Sequence, residues 1–143
     1  MNKSKIHKSE EPSGMKKEKL TNSYGPAIVA RGIIGSDVNF QEVMIAIFLN
    51  RGGNTIGVEV VSIGGISSTV CDVRVILSAA ITSGASSIIL AHNEPSGNLK
   101  PTKSDLALTK KIKAGCQLLD LDLLDHLIIG KHHHHSMADE CDI

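Results

Sequence analysis

The chain has 143 residues and a mass of 15.2 kDa, with 41% hydrophobic and 21% charged residues. That suits one globular domain and excludes a wholly disordered or fibrous chain. Net charge is zero but unevenly spread: residues 1–20 carry six lysines against three glutamates, and the remainder nine basic against twelve acidic side chains. Only Tyr24, Phe40 and Phe48 are aromatic, which argues against binding nucleic acid by stacking bases on an aromatic platform.

Residues 1–22, lysine-rich and interrupted by Ser, Pro and Gly, read as a basic, solvated, disordered tail. The alternative is a weak arm for nucleic acid or another partner, with salt-sensitive phosphate contacts. No apolar stretch follows the lysines, so no signal peptide is expected. The longest apolar run, Val43 to Leu49, falls far short of the roughly 20 residues needed to span a bilayer, so no membrane is expected. Cys71, Cys116 and Cys141 form no CxxC pair and leave an odd thiol, which points to reduced thiols and a cytoplasmic protein.

The elements follow in order. Val43 to Leu49, the turn Asn50-Arg51-Gly52-Gly53-Asn54, and β-branched Thr55 to Ile63 predict a strand, a tight connection and a second strand. Ile66 to Val70 could add a short strand. Asp72 stands as the N-cap of a helix whose apolar positions are Val73, Ile76, Leu77, Ala80 and Ile81, and Gly84 closes it. Ser86 to Ala91 reads as a buried strand. The segment 92–102 contains Pro95, Gly97 and Pro101 and predicts a loop. A second helix is expected from about Lys103 to Leu119, with Leu108, Ile112, Cys116 and Leu119 on one face. A strand over Leu121 to Ile129 and a short edge after Lys131 complete an α/β (α+β) arrangement of sheet and helices without internal repeats.

Chemistry concentrates in 91–105. The buried strand delivers His92 to the start of a loop, Glu94 projects to the same side two residues later, and Asp105 lies in the first turn of the next helix. These three form a candidate ligand set that leaves a fourth tetrahedral position for water. By spacing alone, a turn-capping histidine and an ordinary helix-start aspartate explain the same residues.

The string His92-x-Glu94, seven residues, Thr102, two residues, Asp105 resembles the His-x-His, seven residues, Ser, two residues, Asp motif of the JAMM (MPN-plus, JAB) metallohydrolases. His92-Asn93-Glu94-Pro95-Ser96-Gly97 resembles the His-Asn-His-Pro-Ser-Gly hallmark of their bacterial RadC branch. Leu49-Asn50-Arg51, Arg74, Leu124-Asp125-His126 and Ser136-x-Ala138-Asp139-Glu140 match as well. The resemblance covers about residues 23–143, read as one RadC-like JAB/MPN domain. It implies a curved mixed β-sheet flanked by helices, similar to cytidine-deaminase-like architecture, with Zn2+ between a strand end and a helix start. His92 and Asp105 would then be zinc ligands. Glu42 would be the proton shuttle to metal-bound water, and Thr102 would help hold the tetrahedral oxyanion. The activity implied is metal-assisted cleavage of an amide or isopeptide bond in a peptide or protein. Proteins of this look are commonly labelled as DNA-repair associated, although nothing in these residues demonstrates DNA chemistry.

Two departures stand out. Thr102 in place of serine keeps the hydroxyl. Glu94 in place of the second histidine adds a negative charge: a carboxylate can ligate zinc, but two anionic ligands weaken its Lewis acidity. An impaired or altered metallohydrolase and a catalytically inactive binding scaffold therefore both stay open. The run His132–His135 reads as a native loop, His126 as a hydrogen-bonded structural histidine, and Arg74 as either an anion contact or a partner of an acidic neighbour.

Overall fold

The computed structural model describes residues 23–35, 41–64 and 71–143. The basic segment 1–22 and the short strand expected at 66–70 lie outside the described residues. Among the described residues the elements are, in order, α1 (Tyr24–Ile34), β1 (Val43–Leu49), β2 (Thr55–Ile63), α2 (Val73–Ser83), β3 (Ser87–Asn93), α3 (Lys103–Leu118), β4 (Asp122–Ile129) and β5 (His134–Ser136).

The strands form one sheet in the order β2-β1-β3-β4-β5. β1 is antiparallel to β2 and β3, β3 and β4 are parallel, and β5 returns antiparallel to β4. The parallel pair requires a crossover, which α3 supplies. Being central, β3 is buried on both faces, and this is why Ile88 to Ala91 is continuously apolar. Met44, Ala46, Phe48, Ile88 and Leu90 pack under α2 and α3, while Ile45, Ile47, Ile89, Ala91, Leu127 and Ile129 pack against α1. This mixed sheet with helices on its faces is the expected fold class.

The predicted hairpin and both of its strands form as expected. Asp72 caps α2 by accepting from the Arg74 N–H, and Gly84 ends it in the left-handed region at φ 75°. Three features differ from expectation. α1 was not anticipated, because Gly25, Pro26 and Gly32 weaken its helical signal. It is held by burial of Ala27, Ala30 and Ile34 on the sheet. Arg31 also donates to the carbonyls of Gly130, Lys131 and His133. β3 extends to Asn93, so His92 belongs to the strand rather than the following loop. His134 and His135 lie in β5, so the histidine run is only partly loop. Among the described residues, no helix is long and apolar enough to cross a membrane.

Candidate metal centre

Strand alternation brings the first three side chains together. On β3, His92 shares the α3-facing side with Ile88 and Leu90, and Met44 is its direct partner on β1. Glu42 lies two residues before Met44 and Glu94 two after His92, so the antiparallel register carries both carboxylates to the same end and face of the sheet. Donor atoms of Glu42, His92 and Glu94 all lie within 4.8 Å of one another. Asn93 stabilises this corner: its Oδ1 accepts from the Val43 N–H at 2.6 Å and its Nδ2 donates to the Gln41 carbonyl at 2.7 Å. The two peptides that flank Glu42 are thus held by one side chain. The Glu94 carboxylate is itself steadied by the Ser96 hydroxyl at 3.0 Å.

Asp105 enters from the start of α3. Thr102 and Asp105 form a capping box: the Thr102 hydroxyl accepts from the Asp105 N–H at 3.1 Å, and Asp105 Oδ2 accepts from the Thr102 N–H at 2.8 Å. That leaves Oδ1 directed at His92, 3.7 Å from its Nε2. The Thr102 hydroxyl uses its oxygen in the cap, and its own proton is still available to donate.

His92 is fully buried, and a chain of buried contacts holds its Nδ1 side. His92 Nδ1 lies 2.7 Å from His126 Nε2, and His126 Nδ1 lies 2.6 Å from Thr109 Oγ1, which donates to the Asp105 carbonyl at 2.6 Å. Burial pushes His92 below the ordinary histidine range, with Asp105 and Glu94 pulling the other way. Burial first, then the neighbouring His92, pushes His126 well below it. Both shifts favour the neutral rings. Among the described residues, His92 Nε2 is a buried nitrogen without a hydrogen-bond partner.

These groups fit a divalent cation. The ligand group comprises Glu42, His92 and Glu94, with donor atoms within 4.8 Å of one another; Asp105 lies outside that group and meets it through His92, at 3.7 Å from Nε2. A cation between the Glu42 and Glu94 carboxylates would offset their repulsion. Two ligand bonds of about 2.0–2.1 Å at a tetrahedral angle separate donor atoms by roughly 3.4 Å, close to the His92–Asp105 spacing. Of the residues singled out in the sequence, Glu42, His92, Glu94, Thr102 and Asp105 are brought to this one corner. His126 is hydrogen-bonded, as a structural histidine would be, and its partner is His92 itself. Asn93 stands in the RadC-like string without a role of its own, and the sequence does not single out Thr109. Thr109, four residues after Asp105 and so on its helix face, was the more findable of the two.

Other features lie elsewhere. Arg74 is paired with Asp72 at 3.0 Å. His134 Nε2 contacts the Ser23 hydroxyl and His135 Nε2 the Asp142 carboxylate. The histidine run is not part of the one ligand group found among the described residues. A cavity of about 510 Å³ lined by Arg51, Ser87, Asp120 and Asp122 opens at the start of β3 and β4, the opposite end from His92.

A fold with a mixed sheet, and a histidine and carboxylates gathered where β3 ends and α3 starts, defines an α/β domain of JAB type. The chain belongs to the RadC-like JAB domain family, whose model matches residues 27–142. It is 38% identical over 126 residues to a UPF0758 protein of Flavobacterium johnsoniae, covering 88% of this chain and 54% of that protein. It is 47% identical over 90 residues to a UPF0758 protein of Porphyromonas gingivalis, covering 63% of this chain and 40% of that protein. A UPF0758 protein of Streptococcus suis is 38% identical over 103 residues, 72% of this chain and 42% of that protein. The chain thus spans about half, or less, of the length of these curated relatives.

Proposed function

We propose that this domain is a metal-dependent hydrolase of the JAMM metallopeptidase type, using zinc to cleave an amide or isopeptide bond in a peptide or protein. The observation that carries the reading is the buried His92: its Nε2 has no hydrogen-bond partner among the described residues and lies 3.7 Å from Asp105 Oδ1, and the residue falls in one ligand group with Glu42 and Glu94. His92, Glu94 and Asp105 would hold the cation. When bound, the ion supplies Lewis acidity, polarising the scissile carbonyl and making water a better nucleophile near neutral pH. Glu42, half-buried in the cluster, would take the proton from the attacking water and return it to the leaving amine. The Thr102 proton is available to the oxyanion, while the Thr102–Asp105 cap keeps the Asp105 carboxylate turned to His92.

Zinc titration of a chain in which His132–His135 are replaced by glutamine tests the proposal. About one equivalent of tightly bound zinc is expected. No binding would leave the alternative, a non-catalytic binding scaffold built on the same fold.

A further inference from the structure

We propose that Thr109 and His126 are positioning residues that set the tautomer of His92, leaving its Nε2 an unprotonated donor aimed at the carboxylate cluster. The consequence for a cation rests on the metal-binding reading above; the tautomer itself does not. Thr109 Oγ1 lies 2.6 Å from the Asp105 carbonyl and 3.6 Å from Met137 Sδ; the carbonyl is the closer and stronger acceptor and can only accept, so the threonine proton points there. With its proton committed, the same oxygen accepts from His126, which places a proton on His126 Nδ1 at 2.6 Å. A neutral His126 then has a bare Nε2, and this accepts from His92 Nδ1 at 2.7 Å. A neutral His92 protonated on Nδ1 is bare on Nε2.

The reversed chain fails at two places. It would turn the Thr109 proton to His126 and set two oxygen lone pairs against each other 2.6 Å apart. It would also place a proton on His92 Nε2, which has no hydrogen-bond partner among the described residues and lies 3.7 Å from Asp105 Oδ1, beyond hydrogen-bond length. Three elements cooperate here: α3 contributes Thr109, β4 His126 and β3 His92. All three residues are fully buried, so water does not compete for the protons.

Two measurements decide the matter. Long-range proton–nitrogen NMR correlation of the metal-free, isotope-labelled protein, with His92 and His126 assigned by substitution, is expected to show both rings protonated on Nδ1 only. Zinc affinity, read by competition with a chromophoric chelator, is expected to fall about 10- to 100-fold in Thr109→Val, and Thr109→Ser is expected to restore it. His126→Gln, whose amide oxygen can still accept from His92, is expected to bind better than His126→Leu. That comparison stands if Thr109→Val does not fold. A proton on His92 Nε2 in the wild type would overturn the proposal, as would equal zinc affinity across the valine, serine and wild-type chains. The expected tautomer in a wild type that binds no zinc would support the positioning role and overturn the metal reading instead.

Discussion

Glu94 follows His92 by two residues on one face of the sheet, where the JAMM motif has a second histidine. The exchange adds a negative charge to a corner that already holds Glu42 and Asp105. Carboxylate-rich sites favour harder cations such as manganese, and imidazole favours zinc. Glu94→His should therefore bind zinc more tightly than wild type and raise its preference for zinc over manganese, whereas Glu94→Ala should bind zinc more weakly than either. Calorimetric titration of the three chains with both metals checks this; equal affinities would show that residue 94 does not face the ion. Glu42 has a different role in the proposed chemistry. Glu42→Gln should retain zinc while hydrolysis of any identified substrate falls by about 10²-fold or more. Loss of zinc in that variant would move Glu42 from proton handling to ligation.

The elements divide by where their signals reside. α2 was legible because its cap, periodicity and terminating glycine are local: Asp72 accepts from Arg74, and Gly84 adopts the positive φ that glycine favours. α1 carries Gly25, Pro26 and Gly32, and only contact with the sheet reveals why it is helical. α3 was expected from its apolar face, but its capping box also orients a site carboxylate. Thr102→Ala removes the acceptor for the Asp105 N–H and should cost about 1 kcal/mol in denaturant unfolding, with Thr102→Ser close to wild type. An alanine variant as stable as wild type would mean the cap contributes little to holding α3.

At the scale of the whole molecule, a polar His92–His126 pair is sealed between the sheet and α3, and this sets a pH dependence. Both rings have folded-state pKa values below the unfolded value near 6.5. As pH falls from about 6.5, the unfolded chain takes up protons that the folded chain refuses, so stability declines, whereas above 6.5 these groups contribute no slope. Each fully excluded ring contributes up to about 1.4 kcal/mol per pH unit. Denaturant melts of the metal-free protein should thus weaken between pH 7 and 5.5, less steeply in His126→Gln; identical slopes would show that His126 is charged within the fold. The sequence by itself determined the sheet strands from β1 to β4, the two helices α2 and α3, and which residue types could ligate a metal, because alternation, periodicity and capping are properties of neighbours along the chain. It could also offer His92, Glu94 and Asp105 as candidates from their spacing. Glu42, some 50 residues upstream, entered through the family resemblance alone, and the tertiary structure shows how it meets His92 and Glu94, through the β1–β3 register. Only the tertiary structure decided that Asn93 holds the strand end carrying Glu42, and that Thr109 and His126 stand behind His92. Those contacts join residues on different elements, and a hydrogen bond between them has no period along the sequence from which to read it.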